Sequence, residues 1–262
     1  MFGTFTQSMG FGERPSIKQT ITAANLTTIF GSANQLWYDF SNAGSSTYSP
    51  LPITVTNGAS MTGAKDISFA ASHGTNSVAN FKYATNQSGT LSAANLTAGG
   101  FFNTNGTTTF LSGLAGMTVI VACKPTVTGT TIYLCNTDQG DLQIFYSGGK
   151  WNVKCAGGTG ASSVALSLNT WQIHSFVYSG GGSTPAQKLR YRYNKADQTL
   201  SITGTIAATS GNSNDNYVWG AQDASSTNPF KGYIGEVMLF NRALTGGEVA
   251  AIETYLGGKW GV

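Results

Sequence analysis

The sequence predicts an all-β fold: a two-sheet antiparallel sandwich closed by a short C-terminal helix and preceded by an N-terminal arm. Charged residues make up only 10% of the chain while Gly supplies 34 of 262 positions, a balance that disfavours helices, which draw on Glu, Lys and Leu. Short apolar or alternating runs recur at about ten-residue spacing with Gly and Asn turns between them, as in antiparallel sandwiches. Near the end, a strand-like run from Tyr233 to Phe240 leads into a segment of helical periodicity with its own start signal. A chain of 262 residues fits one large β domain plus the arm.

The closing unit is the most explicit part of the sequence. Tyr233 to Phe240 is apolar or β-prone with Glu236 as its one charge, and Asn241 to Leu244 ends it. Thr245 and Glu248 stand three apart, the spacing at which side chain and backbone satisfy each other reciprocally in a capping box. Val249, Ile252 and Leu256 then fall on one helical face. Gly257-Gly258 is the expected stop, and Trp260 is expected to pin the terminus by burying its ring.

Residues 1–35 differ from the rest. Phe2, Phe5, Met9 and Phe11 are spaced among Gly, Thr and Ser, with too little apolar area to fold alone. Two readings are open: a strand added to the main sheet, or an assembly arm whose aromatics anchor on identical subunits or other particle proteins. Ala-Ala-Asn-Leu-Thr occurs at 23–27 and again at 93–97, too sparsely for a solenoid, and is read as repeated helix-start chemistry.

The body, residues 36–262, opens with Leu36 to Asn42 as a first strand. Residues 43–116 are turn-rich, and strong strand signals follow. Met117 to Lys124 is nearly continuously apolar, as expected of a strand covered on both faces. Thr131 to Cys135, Asp141 to Tyr146 and Trp151 to Cys155 come next, the last alternating so that Asn152 and Lys154 lie on a solvated face. Trp171 to Tyr178, Lys188 to Tyr193, Leu200 to Ile206 and Asn216 to Gly220 complete the series.

Phe230 to Gly261 (F-K-G-Y-I-G-E-V-M-L-F-N-R-A-L-T-G-G-E, then I-E-T-Y-L and K-W-G) resembles the closing segment of laminin-G-like domains in the concanavalin A-like lectin and glucanase superfamily. Leu36 to Asn42 resembles that family's opening strand, and the W-x-x-x-x-x-V-Y strand at Trp171 to Tyr178, followed by a tyrosine-rich strand, matches its order. The resemblance implies a jelly roll over residues 36–262 of the kind found in phage structural proteins, and most directly a non-enzymatic module that binds glycan or another surface polymer.

Composition excludes several functions. A net charge of +3 without a Lys/Arg cluster is no footprint for nucleic acid, and no apolar run is long enough to enter a membrane. The first residues lack a basic region followed by an apolar one, so synthesis and folding in a cytosol are expected. Three cysteines, Cys123, Cys135 and Cys155, lie in strand-like runs without C-x-x-C spacing and are expected to be buried thiols.

Catalysis finds little support. Glycoside hydrolysis needs two carboxyl groups about the bond, and the E-x-D-x-x-E strand motif of the superfamily's glucanases is absent. Of four Glu, Glu13 lies in the arm, Glu248 in the cap and Glu253 in the terminal helix; Glu236 is expected to be a solvated or hydrogen-bonded strand position. His174 is read as a hydrogen-bonded sheet histidine. No enzyme activity is expected.

Binding residues can be nominated with alternatives. Tyr146, Tyr217 and Trp219 border loops rich in Asn, Asp and Gly, with Asp215 and Asn216 beside them; they are either sugar-stacking platforms or core. Lys188, Arg190 and Arg192 share one strand face and either meet acidic sugars or phosphates or guard a sheet edge. No cofactor is expected apart from calcium, which the resemblance allows at Asp138, Asp141, Asp215 and Asp223, positions that equally make polar turns. The combined expectation is a virion-associated decoration or adhesion protein that attaches through its jelly roll. A free carbohydrate-binding module is the alternative, and a glycoside hydrolase a remote one.

Overall fold

The computed structural model describes residues 34–41, 63–64, 74–76, 82–104, 111–137, 142–211, 217–223 and 225–262. They form two antiparallel sheets packed face to face. Eight strands of the first sheet are described: β1 (Asn34–Asp39), β4 (Lys82–Ser88), β5 (Leu91–Asn95), β7 (Gly116–Pro125), β12 (Gln172–Ser179), β13 (Leu189–Tyr193), β14 (Ala196–Gln198) and β17 (Gly232–Phe240). Their order is β14-β13-β12-β7-β17-β5-β4, with β1 on the same edge of β17 as β5.

The second sheet runs β15-β11-β10-β9-β8-β16-β6-β3-β2. It comprises β2 (Gly63–Ala64), β3 (Gly74–Asn76), β6 (Phe102–Thr104), β8 (Thr131–Thr137), β9 (Leu142–Ser147), β10 (Lys150–Cys155), β11 (Gly158–Ala161), β15 (Ser201–Thr203) and β16 (Tyr217–Trp219). A one-turn helix α1 (Pro185–Lys188) links β12 to β13, and α2 (Gly246–Trp260) ends the chain. No helix of the described residues is long and apolar enough to cross a membrane.

Alternation along the strands builds two cores. Val119, Val121, Phe176, Val237 and Leu239 of the first sheet meet Leu134, Ile144, Trp151, Val153 and Trp219 of the second. On the other face of the first sheet, Ile120, Ala122, Ile173, Val177 and Met238 meet Val249, Ile252, Leu256 and Trp260 of α2. Thus β7 is covered on both faces, as its sequence predicts, but one cover is a helix. All three cysteines are buried thiols.

The capping box at Thr245 and Glu248 is present. The predicted stop is not: α2 runs through Gly257 and Gly258 and ends at Gly261, whose φ of +77° is the left-handed conformation glycine adopts without strain. About one more turn of hydrogen bonding is not what carries it there; the gain is delivery of Lys259 and Trp260 to the sheet, Trp260 being 1% exposed. The second Ala-Ala-Asn-Leu-Thr copy starts no helix either. Ala93 and Ala94 are buried in β5, and the Asn95 side chain accepts from the Thr97 N–H at 2.9 Å to turn the chain. Of the run from Leu200 to Ile206 only Ser201–Thr203 is strand.

Candidate functional site: the outer face of the second sheet

The first sheet has its outer face under α2, whereas no helix among the described residues covers the outer face of the second, whose β16 end packs Val218 with Phe101 and Ala221. Cross-strand register sets two adjoining rows on it. One runs Tyr133, Phe145, Asn152, Ala161, Ser201; the other runs Val218, Asn136, Gln143, Lys154, Thr159, Thr203. Inward neighbours Ile144, Trp151, Val153 and Trp219 all lie in the core, which fixes the direction of both rows by the two-residue period of a strand.

A bulge in β8 makes this possible. Register shifts between Tyr133 and Cys135, so Leu134 and Cys135 both face inward and Asn136 turns outward beside Gln143. An unbulged strand would bury Asn136 in the sandwich.

The face pairs apolar with polar surface. The Tyr133 and Phe145 rings stack with centroids 5.0 Å apart and planes at 17°. Phe145 and Lys154 are half-buried, whereas Gln143 and Asn152 are 9% and 8% exposed. The Asn152 amide donates to the Ser147 and Lys150 carbonyls at 3.1 and 2.9 Å, which leaves its oxygen free to accept. Asn136 donates to the Gln222 carbonyl, while its buried Oδ1 has no hydrogen-bond partner. An orphaned buried acceptor is costly and is a natural point for a ligand or water donor. The loop after β16 borders the row, with the Tyr133 N–H bonded to the Asn228 carbonyl at 3.0 Å. Asn228, itself at φ 45°, donates to the Gln222 side chain at 2.7 Å.

The nominated residues fall elsewhere. Tyr217 and Trp219 are wholly buried, Tyr217 donating to Cys135 Sγ at 3.2 Å and Trp219 stacked on Phe102. Neither can offer a ring face to a sugar, a correction that follows from their inward direction on β16. Tyr146 is half-buried on the inward side, edge-on to Trp151 at 5.8 Å. Asp215 and Asn216 lie outside the described residues, as do Phe2, Phe5, Met9 and Phe11.

The basic stripe is also corrected. Arg190 and Arg192 face outward on β13 beside α2, but β13 is no edge strand, because β14 pairs beyond it. Arg192 is held by Glu253, its Nη2 at 2.9 Å, and by Asp197. The Lys188 Nζ donates to the Ile206 carbonyl at 2.8 Å, and Arg190 donates to the Leu244 carbonyl at 3.2 Å. Arg192 thereby ties the sheet to α2, Arg190 reaches the segment before α2, and Lys188 reaches the segment after β15.

Of the calcium candidates, Asp138, Asp141 and Asp215 lie outside the described residues. Asp223 accepts from the Ser225 and Thr227 N–H groups at 2.9 and 3.0 Å, a polar turn. No group of three metal-ligating side chains occurs among the described residues.

The two groups with catalytic chemistry are both internal. His174 is fully buried, with Nδ1 2.7 Å from the Tyr191 hydroxyl and Nε2 3.2 Å from Gln172 Oε1, and burial pulls its pKa down to about 3. Glu236 is fully buried rather than solvated. It accepts from Trp37 Nε1 at 2.8 Å and from Lys259 Nζ at 2.7 Å, and Lys259 also binds Asp39 at 2.7 Å. Burial, then the nearby Asp39 charge, raises the Glu236 pKa to about 7 against the pull of Lys259. This set locks the C-terminus to β1 and β17.

Sequence reasoning missed Tyr133, Asn136, Gln143 and Phe145. Alternation in β10 correctly put Asn152 and Lys154 outside, and extending it across β9 would have found Gln143 and Phe145. The bulge that turns Asn136 outward has no local signature.

Residues 96–250 match the laminin-G family model described as the concanavalin A-like lectin/glucanases superfamily. No curated protein matches the sequence. Among solved structures, domain 4 of AbnA, a GH43 extracellular arabinanase from Geobacillus stearothermophilus, in complex with arabinotriose, aligns with a TM-score of 0.57 at 15% identity, over 84% of this chain and 98% of that one. Trypanosoma rangeli sialidase aligns with a TM-score of 0.52 at 12% identity, over 78% of this chain but 32% of its own. At these identities the likeness is one of fold.

Proposed function

The chain belongs to the concanavalin A-like lectin/glucanases superfamily, and on that premise we propose that it is a non-catalytic module that binds glycan on the outer face of the second sheet. The observation that carries the proposal is the pair of rows in which the stacked Tyr133 and Phe145 adjoin Asn152, Asn136, Gln143 and Lys154. A sugar has an apolar face of C–H groups and a rim of hydroxyls, and needs both kinds of partner side by side. The arabinotriose held by the arabinanase domain of like fold supports the same role.

Binding without cleavage is part of the proposal. Neither row contains a carboxylate among the described residues, and hydrolysis of a glycoside needs two. The setting we propose is attachment at the surface of a virion. That part is supported by sequence alone, through the spaced aromatics Phe2, Phe5 and Phe11 and the low-charge, Gly-rich composition.

The test is a glycan array on the full chain, followed by calorimetry with arabinotriose and with the array's best ligands. Phe145→Ala and Gln143→Ala should each weaken binding by about fivefold or more while leaving the melting temperature within a few degrees. Retained affinity in both variants, or release of shorter sugars on incubation, contradicts the proposal.

A further inference from the structure

We propose that the glycan recognised on this face carries a carboxylate, as a uronic acid unit does, and that Lys154 is the residue that selects it. The inference rests on the glycan-binding role proposed above and names the ligand class for the same face.

The cations of the described residues are mostly engaged. Lys124 donates to Gln87 at 3.0 Å and lies over the Tyr233 ring, Lys188 donates to a carbonyl, and Arg192, Arg242 and Lys259 are held by carboxylates. Lys82, Lys231, Lys150 and Lys154 have no such partner among the described residues, and of these Lys150 and Lys154 share β10. Both project from β10 onto the outer face, and neither has an ion pair or a side-chain hydrogen bond among the described residues. They stand four residues apart on one strand, roughly 13 Å, with Asn152 between them.

Among the described residues their cross-strand neighbours are neutral. Lys154 faces Gln143 on β9 and Thr159 on β11, and Lys150 faces Ser147. No Asp or Glu belongs to the described positions of either row. A lysine kept half-buried beside amides, without a counter-charge, forgoes part of its hydration and gains nothing within the chain in return. An incoming carboxylate would take that charge, with the Gln143 amide as a second donor at the same cross-strand pair. The orphaned Asn136 Oδ1, 2% exposed at the residue level, lies opposite Gln143 in the same row. It supplies an acceptor for a sugar hydroxyl one strand away. An ammonium flanked by amide donors and acceptors on a flat face suits a hydroxylated ring bearing one negative group.

The experiment uses the full chain and pairs of oligosaccharides that differ only at the acid. Trimers of galacturonate, mannuronate and guluronate, and glucuronate-containing trimers, are titrated calorimetrically beside their carboxyl-reduced counterparts at low and at physiological ionic strength. At least one acidic trimer should bind about tenfold or more tightly than its reduced form, with the difference shrinking in salt. Lys154→Gln should abolish the difference between the acidic and the reduced form, whereas Lys82→Gln, on β4 at the edge of the first sheet, should have no effect. Equal binding of acidic and reduced forms overturns the inference and leaves the glycan-binding role standing. An acid preference that survives Lys154→Gln overturns the assignment of the residue. Binding of no trimer in either form, together with a blank glycan array, overturns both.

Discussion

Lys259 is the residue on which the end of the chain depends. Its Nζ contacts Asp39 Oδ2 and Glu236 Oε2, both at 2.7 Å, and the Tyr255 hydroxyl at 3.1 Å. Removing one member of a buried charge set leaves the others uncompensated, so Lys259→Met should cost about 3–5 kcal/mol, read by urea denaturation. Glu236 adds a pH dependence. Its folded pKa of about 7 lies above the ordinary carboxyl value of 4.5, so the folded state holds the proton more tightly than the unfolded one. Its contribution to stability is therefore full below about 4.5 and is lost as pH rises toward about 7. Glu236→Gln cannot ionise and should gain on the wild type as pH is raised through that window; a constant difference in denaturation midpoint would show that Glu236 stays charged. His174 acts in the opposite sense. With its pKa lowered to about 3 from 6.5, its contribution is complete above 6.5 and lost as pH falls toward 3.

At the scale of elements, β17 and α2 behave as one unit because the strand makes room for the helix. A methyl group on Gly235 would come within 2.5 Å of the Trp260 ring, and the register of β17 against β7 shifts at this residue. Gly235→Ala should therefore cost about 1–3 kcal/mol through overpacking, mainly by loosening α2. Thermal melts followed by tryptophan fluorescence would register it, and an unchanged melt would mean that Trp260 can move aside freely. The helix start contributes separately. Glu248 is held at a pKa of about 2 first by its bond to Arg242 and then by the Thr245 backbone. The F-x-G-Y-I-G-E and K-W-G stretches are thus explained by packing: Gly235 admits Trp260, and Glu236 binds Lys259.

For the whole molecule, the sheets divide labour. One is covered by α2 and tied to it through Arg192 and Glu253; the other carries on its outer face the rows for which glycan binding is proposed. The proposed assembly role of residues 1–35 belongs to this scale. A chain lacking them should remain folded and monomeric by light scattering, while the full chain forms a defined oligomer. Two monomers would remove the arm as an assembly device, and an unfolded truncation would make it an integral strand.

The sandwich, the strands β7 to β10, β12 and β13, the capped helix and the buried thiols were legible in the sequence, because each follows from composition, from period-two or helical alternation, or from a spacing of three between Thr245 and Glu248; β11, short and Gly-rich, was not. The binding face was legible only in part: Asn152 and Lys154 came from alternation within one strand. What tertiary structure alone decided was which face α2 covers, and that Tyr217, Trp219 and Arg192 are engaged in packing. Local sequence records the direction of a side chain relative to its neighbours; whether that direction meets a core, a helix or solvent depends on strands distant in the chain, and a single bulge in β8 was enough to move Asn136 from one side to the other.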